Sequence, residues 1–194
     1  MPTDHVRWTG WDGAGLEHCA VHRSSDHVLI EGTVVGDRGG TPYGAYYRVR
    51  CDREWRTREV QLAYVGGLDM HVMADGEGNW FDHGKGDDPA GEPLPELAGC
   101  IDVDIGVTPA TNMLPIGRLA LAEGEARAIR AAYVPLPSQI EGNRLLPRPA
   151  DQRYTCLVPA KRYRYEGLFR DFTAELAIDE RGIVLDYPDT FRRA

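Results

Sequence analysis

Polar and apolar residues alternate with a period of two along most of this chain, and clusters of Gly, Pro and Asp repeatedly interrupt the alternation. Successive antiparallel strands produce this pattern, because neighbouring side chains of a strand point to opposite faces of the sheet. The clearest strand runs from Arg56 to Val65, with Val60, Leu62 and Tyr64 on one face and Glu59, Gln61 and Ala63 on the other. Its neighbour, Tyr43 to Asp52, sets Tyr47, Val49 and Cys51 against Tyr46, Arg48 and Arg50, and the polar link Asp52-Arg53-Glu54 joins the two as a hairpin. Further strands are predicted at Leu16 to Arg23, Val28 to Gly36, Leu68 to Ala74, Gly78 to Asp82, Cys100 to Gly106 and Ala126 to Leu136. Near the C-terminus Phe172, Ala174, Leu176 and Ile178 alternate with polar positions. There Asp179-Glu180-Arg181-Gly182 turns the chain into Ile183, Leu185 and Tyr187.

Two stretches read as loops. Asp82 to Leu97 carries Gly84, Gly86, Pro89, Gly91, Pro93 and Pro95, and Gln139 to Ala150 is flanked by prolines. A short helix is predicted at Leu114 to Glu123, entered through Pro115, although Gly117 weakens it. About a dozen strands exceed what one flat sheet of this size holds, since strand twist makes large sheets curl, split or close. The reading is a mainly β chain, a large curved antiparallel sheet with one or two short helices, forming a single domain over residues 1–194. A curled sheet has a concave face, and that face is a ligand cavity unless the protein's own side chains fill it.

A formal net charge of -8 argues against nucleic acid and anionic lipid surfaces as partners. Arg48, Arg50, Arg56 and Arg58 are candidates for a basic strip, although cross-strand pairing with carboxylates is the commoner arrangement of such residues on a sheet. No apolar run approaches the roughly 20 residues of a transmembrane helix, and Met1 to Gly15 lacks the pattern of a secretory signal, so a cytoplasmic protein is expected. Cys19, Cys51, Cys100 and Cys156 are widely spaced, which fits isolated thiols. The six histidines form no HExxH or helical pair, and there is no GxSxG elbow or phosphate loop, so neither metal nor cofactor is expected.

In the strand after Gly99, Cys100, Asp102 and Asp104 point to one face while Ile101, Val103 and Ile105 point to the other. Two carboxylates roughly 7 Å apart suit an inverting glycosidase or a divalent cation; ion pairs with Arg58 or Arg118 and capping of nearby amides are the commoner source of such a cluster. Thr108, Thr111 and Asn112 around Pro109 have turn chemistry, and Asn112 is the best polar ligand candidate among them because its amide both donates and accepts. Trp8, Trp11, Trp55 and Trp80 and nine tyrosines supply amphipathic faces for the core, for sugar rings or for an acyl-chain groove.

The stretch Gly99-Cys100-Ile101-Asp102-Val103-Asp104, followed by Thr108-Pro109-Ala110-Thr111-Asn112 and Leu114-Pro115-Ile116-Gly117-Arg118-Leu119, resembles the central signature of the bacterial putative glycolipid-binding family. Trp8 and Glu17, Trp55-Arg56-Thr57-Arg58, Gly78-Asn79-Trp80 and Gly182-Ile183-Val184-Leu185-Asp186-Tyr187-Pro188 agree with it, so the resemblance spans nearly the whole chain. One departure is Gly117, where the family's pattern leads one to expect a second basic residue beside Arg118. The resemblance implies a half-barrel with an amphipathic ligand in its cleft. On that basis a glycolipid or similar amphipathic molecule is the expected partner, with Trp55, Arg58, Asp102, Asp104, Asn112 and Arg118 as candidate contacts and no catalysis. The alternatives are a hydrolase or isomerase working through Asp102 and Asp104, and an interaction module whose sheet encloses no cavity.

Overall fold

The computed structural model describes residues 3–84 and 89–194; residues 85–88, within the first predicted loop, lie outside the described residues. The first eight strands are β1 (Thr3–Gly10), β2 (Leu16–Arg23), β3 (His27–Gly36), β4 (Tyr43–Asp52), β5 (Thr57–Tyr64), β6 (Asp69–Ala74), β7 (Trp80–Asp82) and β8 (Glu92–Pro93). The remaining seven are β9 (Asp102–Ile105), β10 (Ala126–Val134), β11 (Arg148–Val158), β12 (Arg162–Gly167), β13 (Phe172–Ile178), β14 (Val184–Tyr187) and β15 (Phe191–Arg193). All belong to one sheet in the order β8-β7-β6-β5-β4-β3-β2-β1-β15-β14-β13-β12-β11-β10-β9, antiparallel except for the parallel pair β9 and β10. No helix among the described residues is long and apolar enough to cross a membrane.

That order dictates curvature. The edge strands β8 and β9 follow one another in sequence, and a chain from Pro93 to Asp102 reaches at most roughly 32 Å. A flat sheet of 15 strands, at about 4.8 Å per step, would hold its edges roughly 67 Å apart. The sheet must therefore curl, and β9 comes back to the face of β5. Ile101 accepts a hydrogen bond from the Thr57 amide at 3.2 Å, and the Thr57 hydroxyl accepts one from the Val103 amide at 3.0 Å.

The returning segment, from Leu94 through Met113, packs into the core formed by β3 to β6. Leu97, Cys100, Val103, Ile105 and Val107 pack into one core with Ile30, Tyr47, Val49, Val60, Leu62 and Val72 from β3 to β6. Two of the sequence motifs fasten it there. Gly99 donates its amide to Gly78 at 3.0 Å, and the buried Trp80 indole donates to Cys100 at 2.8 Å. The first contact requires glycine: a β-carbon on Gly78, whose φ is +100°, would lie 2.8 Å from the Gly99 Cα. A second core, with Tyr154, Cys156, Tyr165, Leu176, Val184 and Tyr187, lies on the face of β11–β15 and is closed by Ile116.

The Leu114–Glu123 helix is displaced towards the N-terminus: a 3-10 turn, Ala110–Asn112, runs into α1 (Met113–Leu119), which stops where Ala120 turns left-handed at φ 45°. Strands β1 and β15 were not predicted; β15 is three residues long, and the two pair with each other as well as with β2 and β14. Part of the second predicted loop is strand. Arg148 and Pro149 already pair with Tyr133 and Ala132 of β10, despite the proline that argued for irregular backbone.

Candidate functional site

Most residues singled out around β9 have local partners. Arg118 grips Asp102 with two parallel bonds, Nε to Oδ1 at 3.0 Å and a terminal nitrogen to Oδ2 at 2.6 Å, a geometry specific to guanidinium and carboxylate. Asn112 donates to the Pro109 carbonyl at 3.1 Å and accepts from the Tyr154 hydroxyl at 2.9 Å. Thr111 accepts the Ile105 amide and Thr108 the Ala110 amide, the turn chemistry predicted for them. Arg58 lies 3.6 Å from Asp52, and Arg50 pairs with Glu59 across the β4/β5 ladder. Trp55 closes the hairpin between β4 and β5 with φ 64°, and its indole stands against Gly117 and beneath the Arg23 guanidinium, 5.8 Å from its centre. The indole therefore takes up the space beside position 117, where the resemblance called for a basic side chain.

Asp104 differs from Asp102. Gln152 donates to its Oδ2 at 2.7 Å, and burial pushes its pKa up against the pull of Arg170, Gln152, Arg38 and Thr111. Around it stand Tyr133, Tyr154, Tyr165 and Tyr187, with Arg170 stacked on Phe169 and Phe172 at 5.1 and 4.9 Å. Two polar atoms of this group, the Tyr165 hydroxyl and Arg170 Nε, are buried and have no hydrogen-bond partner among the described residues.

A cleft of about 250 Å³ opens between β1, β2, β3 and the β14–β15 turn. Its walls include Trp8, Trp11, Glu17, Arg38, Tyr43 and Phe191, and none of the six residues marked out from the sequence lines it. Three arginines brace the aromatic walls: Arg38 over Phe191 at 5.3 Å, Arg192 over Trp11 at 5.4 Å and Arg193 over Trp8 at 5.5 Å. Arg38 also donates to the Gly106 carbonyl and acts electrostatically on Asp104, which links the cleft to the tyrosine cluster. At the mouth, Leu16 and Val35 are cross-strand partners, each about half exposed at 50% and 53%.

At the base lies Glu17, 1% exposed. Tyr47 donates to its Oε1, as does Thr108 at 2.7 Å, and burial raises its pKa to about 7 against those two bonds. Gly32 makes this possible: it faces Tyr47 in the β3/β4 ladder, and a β-carbon there would lie 2.5 Å from the ring. Glu17 was legible in the sequence as part of the family pattern, but nothing in a strand's alternation distinguishes a buried acid from a solvent-facing one.

The family model described as putative glycolipid-binding matches residues 5–193 of the chain. Among solved structures, a DUF1089 family protein from Pseudomonas aeruginosa is 38% identical in sequence, with 93% of this chain and 92% of that one covered and a TM-score of 0.74. No curated protein matches.

Proposed function

Because the chain belongs to the putative glycolipid-binding family, we propose that it binds, without chemistry, the sugar head of an amphipathic molecule in the cleft between β1, β2, β3 and β15. The observation that carries this reading is the composition of the cleft: the accessible rings of Trp11 and Tyr43, backed by the buried Trp8 and Phe191, beside Asp12, Glu17 and Arg38. Aromatic faces cover the C–H face of a sugar ring, and carboxyl and guanidinium groups exchange hydrogen bonds with its hydroxyls. The volume, about 250 Å³, falls below the roughly 300–1,000 Å³ of pockets that engulf a drug-sized ligand. It suits one head group rather than a whole lipid.

The hydrocarbon then lies outside, along Leu16, Val35 and Val65, which form a continuous exposed apolar strip from the mouth. Each methylene that leaves water there contributes about 0.8 kcal/mol. A hydrolase working through Asp102 and Asp104 has less support, because both oxygens of Asp102 are held by Arg118.

Titration with octyl β-D-glucoside below its micellar concentration tests the proposal, read by calorimetry and tryptophan fluorescence. Saturable binding is expected, weakened at least tenfold by Trp11→Ala and weakened for glucose, which lacks the chain. Absence of binding by any of a series of octyl glycosides, together with an empty protein when purified from its own host, would overturn it.

A further inference from the structure

The two oxygens of Glu17 are treated differently. Oε1 accepts from both Tyr47 and Thr108, whereas Oε2 is buried and, among the described residues, has no hydrogen-bond partner. A buried, unpartnered carboxylate oxygen carries a large desolvation cost, and a carboxyl avoids it by holding a proton. The arrangement fixes where the proton goes: the oxygen that already accepts two bonds is the carbonyl-like one, leaving Oε2 as the hydroxyl.

Among the described residues no cation forms a hydrogen bond or ion pair with Glu17; burial and the bonds from Tyr47 and Thr108 set its protonation. On its own strand Glu17 has the thiol Cys19, and β4 contributes the phenols Tyr47 and Tyr43. From the β3–β4 turn, Arg38 donates to Gly106. From β15, Arg193 donates to Asp179 and to the carbonyls of Ile183 and Val184. The rest of the cleft wall adds the acids Asp12, Asp37 and Asp189, so the surroundings favour the neutral form, in line with a pKa near 7.

Resting on the cleft reading above, we infer that Glu17 selects the ligand: its Oε2–H donates to an uncharged acceptor oxygen, a ring, ether or hydroxyl oxygen of a glycoside. A carboxylic acid kept neutral in a dry site is an effective donor. Ionisation removes that donor and sets a negative charge against the ligand's lone pair, so capture is strongest in mildly acidic solution and release follows as the pH rises. While ionised, Asp12, Asp37 and Asp189 in the cleft wall disfavour anionic heads.

The test measures octyl β-D-glucoside affinity at pH 5.5 and 8.5 for the wild type and Glu17→Gln. The wild type is expected to bind at least tenfold more weakly at pH 8.5, and Glu17→Gln, whose amide donates at both values, to bind equally at each. A wild-type affinity unchanged by pH, or the same loss in Glu17→Gln, overturns the role of Glu17 and leaves the cleft reading standing. Failure of both proteins to bind any octyl glycoside at either pH overturns the cleft reading and this inference with it. A second measurement needs no variant: the carboxyl 13C shift of Glu17, followed through a titration with and without glycoside. Linkage requires a tenfold preference for the protonated form to raise its midpoint by one pH unit at saturation; no rise with ligand bound overturns the inference.

Discussion

The indole of Trp55 stands where a side chain on Gly117 would have to begin: an ideal β-carbon at 117 would come within 2.7 Å of the ring. The indole belongs to a hairpin loop, in a left-handed conformation that few non-glycine residues adopt, and its partner is the middle of α1.

Gly117→Ala is therefore expected to destabilise the protein by about 1–3 kcal/mol through overpacking. Pairing it with Trp55→Gly, which relieves both the clash and the left-handed backbone, should recover a substantial part of the loss. Urea unfolding of the two single variants and the double variant measures the coupling; strictly additive effects would mean that the two residues do not share the space.

Arg118 and Asp102 form a second coupled pair. Removing the cation in Arg118→Met leaves a buried carboxylate uncompensated and should cost about 3–5 kcal/mol, whereas adding Asp102→Asn should restore much of the loss. Equal stability of the single and double variants would contradict a pair that carries structure.

The pKa of Glu17 makes stability depend on pH with a definite sign. Its folded value, about 7, lies above the ordinary glutamate value of about 4.5, so between these values the folded state binds the extra proton and stability falls as pH rises. Glu17→Gln lacks the effect. Relative to it, the wild type should lose on the order of 3 kcal/mol between pH 4.5 and 7 and little beyond. Chemical denaturation of both proteins across this range measures the difference, and parallel curves would exclude a raised pKa.

The segment from Leu94 to Met113 should behave as core. Leu97 is fully buried, and Leu97→Ala is expected to cost about 2–5 kcal/mol, with the value set by how far its surroundings collapse. A loss below about 1 kcal/mol, read from thermal or urea melts, would indicate a loosely seated segment.

Much of the sheet was legible from alternation, because a strand with one buried face writes its period directly into the sequence: Tyr43 to Asp52 is found with the predicted bounds. The motifs around β9 were legible as a group too, and the fold supplies their reason. Gly78 meets Gly99, Trp80 meets Cys100, Thr57 meets Val103 and Arg118 meets Asp102, so the pattern records how a returning segment is fastened inside a curled sheet.

Sequence by itself thus determined the β class, the main hairpins, the turn chemistry of Thr108 to Asn112 and the family resemblance, all properties set by neighbours a few residues apart or by a shared pattern. The tertiary structure alone decided that the segment from Leu94 to Met113 shares a core with β3 to β6, that a cleft lies between β1, β2, β3 and β15, and that, among the described residues, Glu17 rather than Asp102 keeps an unpartnered oxygen. Those outcomes depend on which side chains meet across long separations, such as Glu17 with Thr108, 91 residues apart. Burial and hydrogen bonding are properties of such meetings, and a local pattern of polar and apolar residues does not encode them.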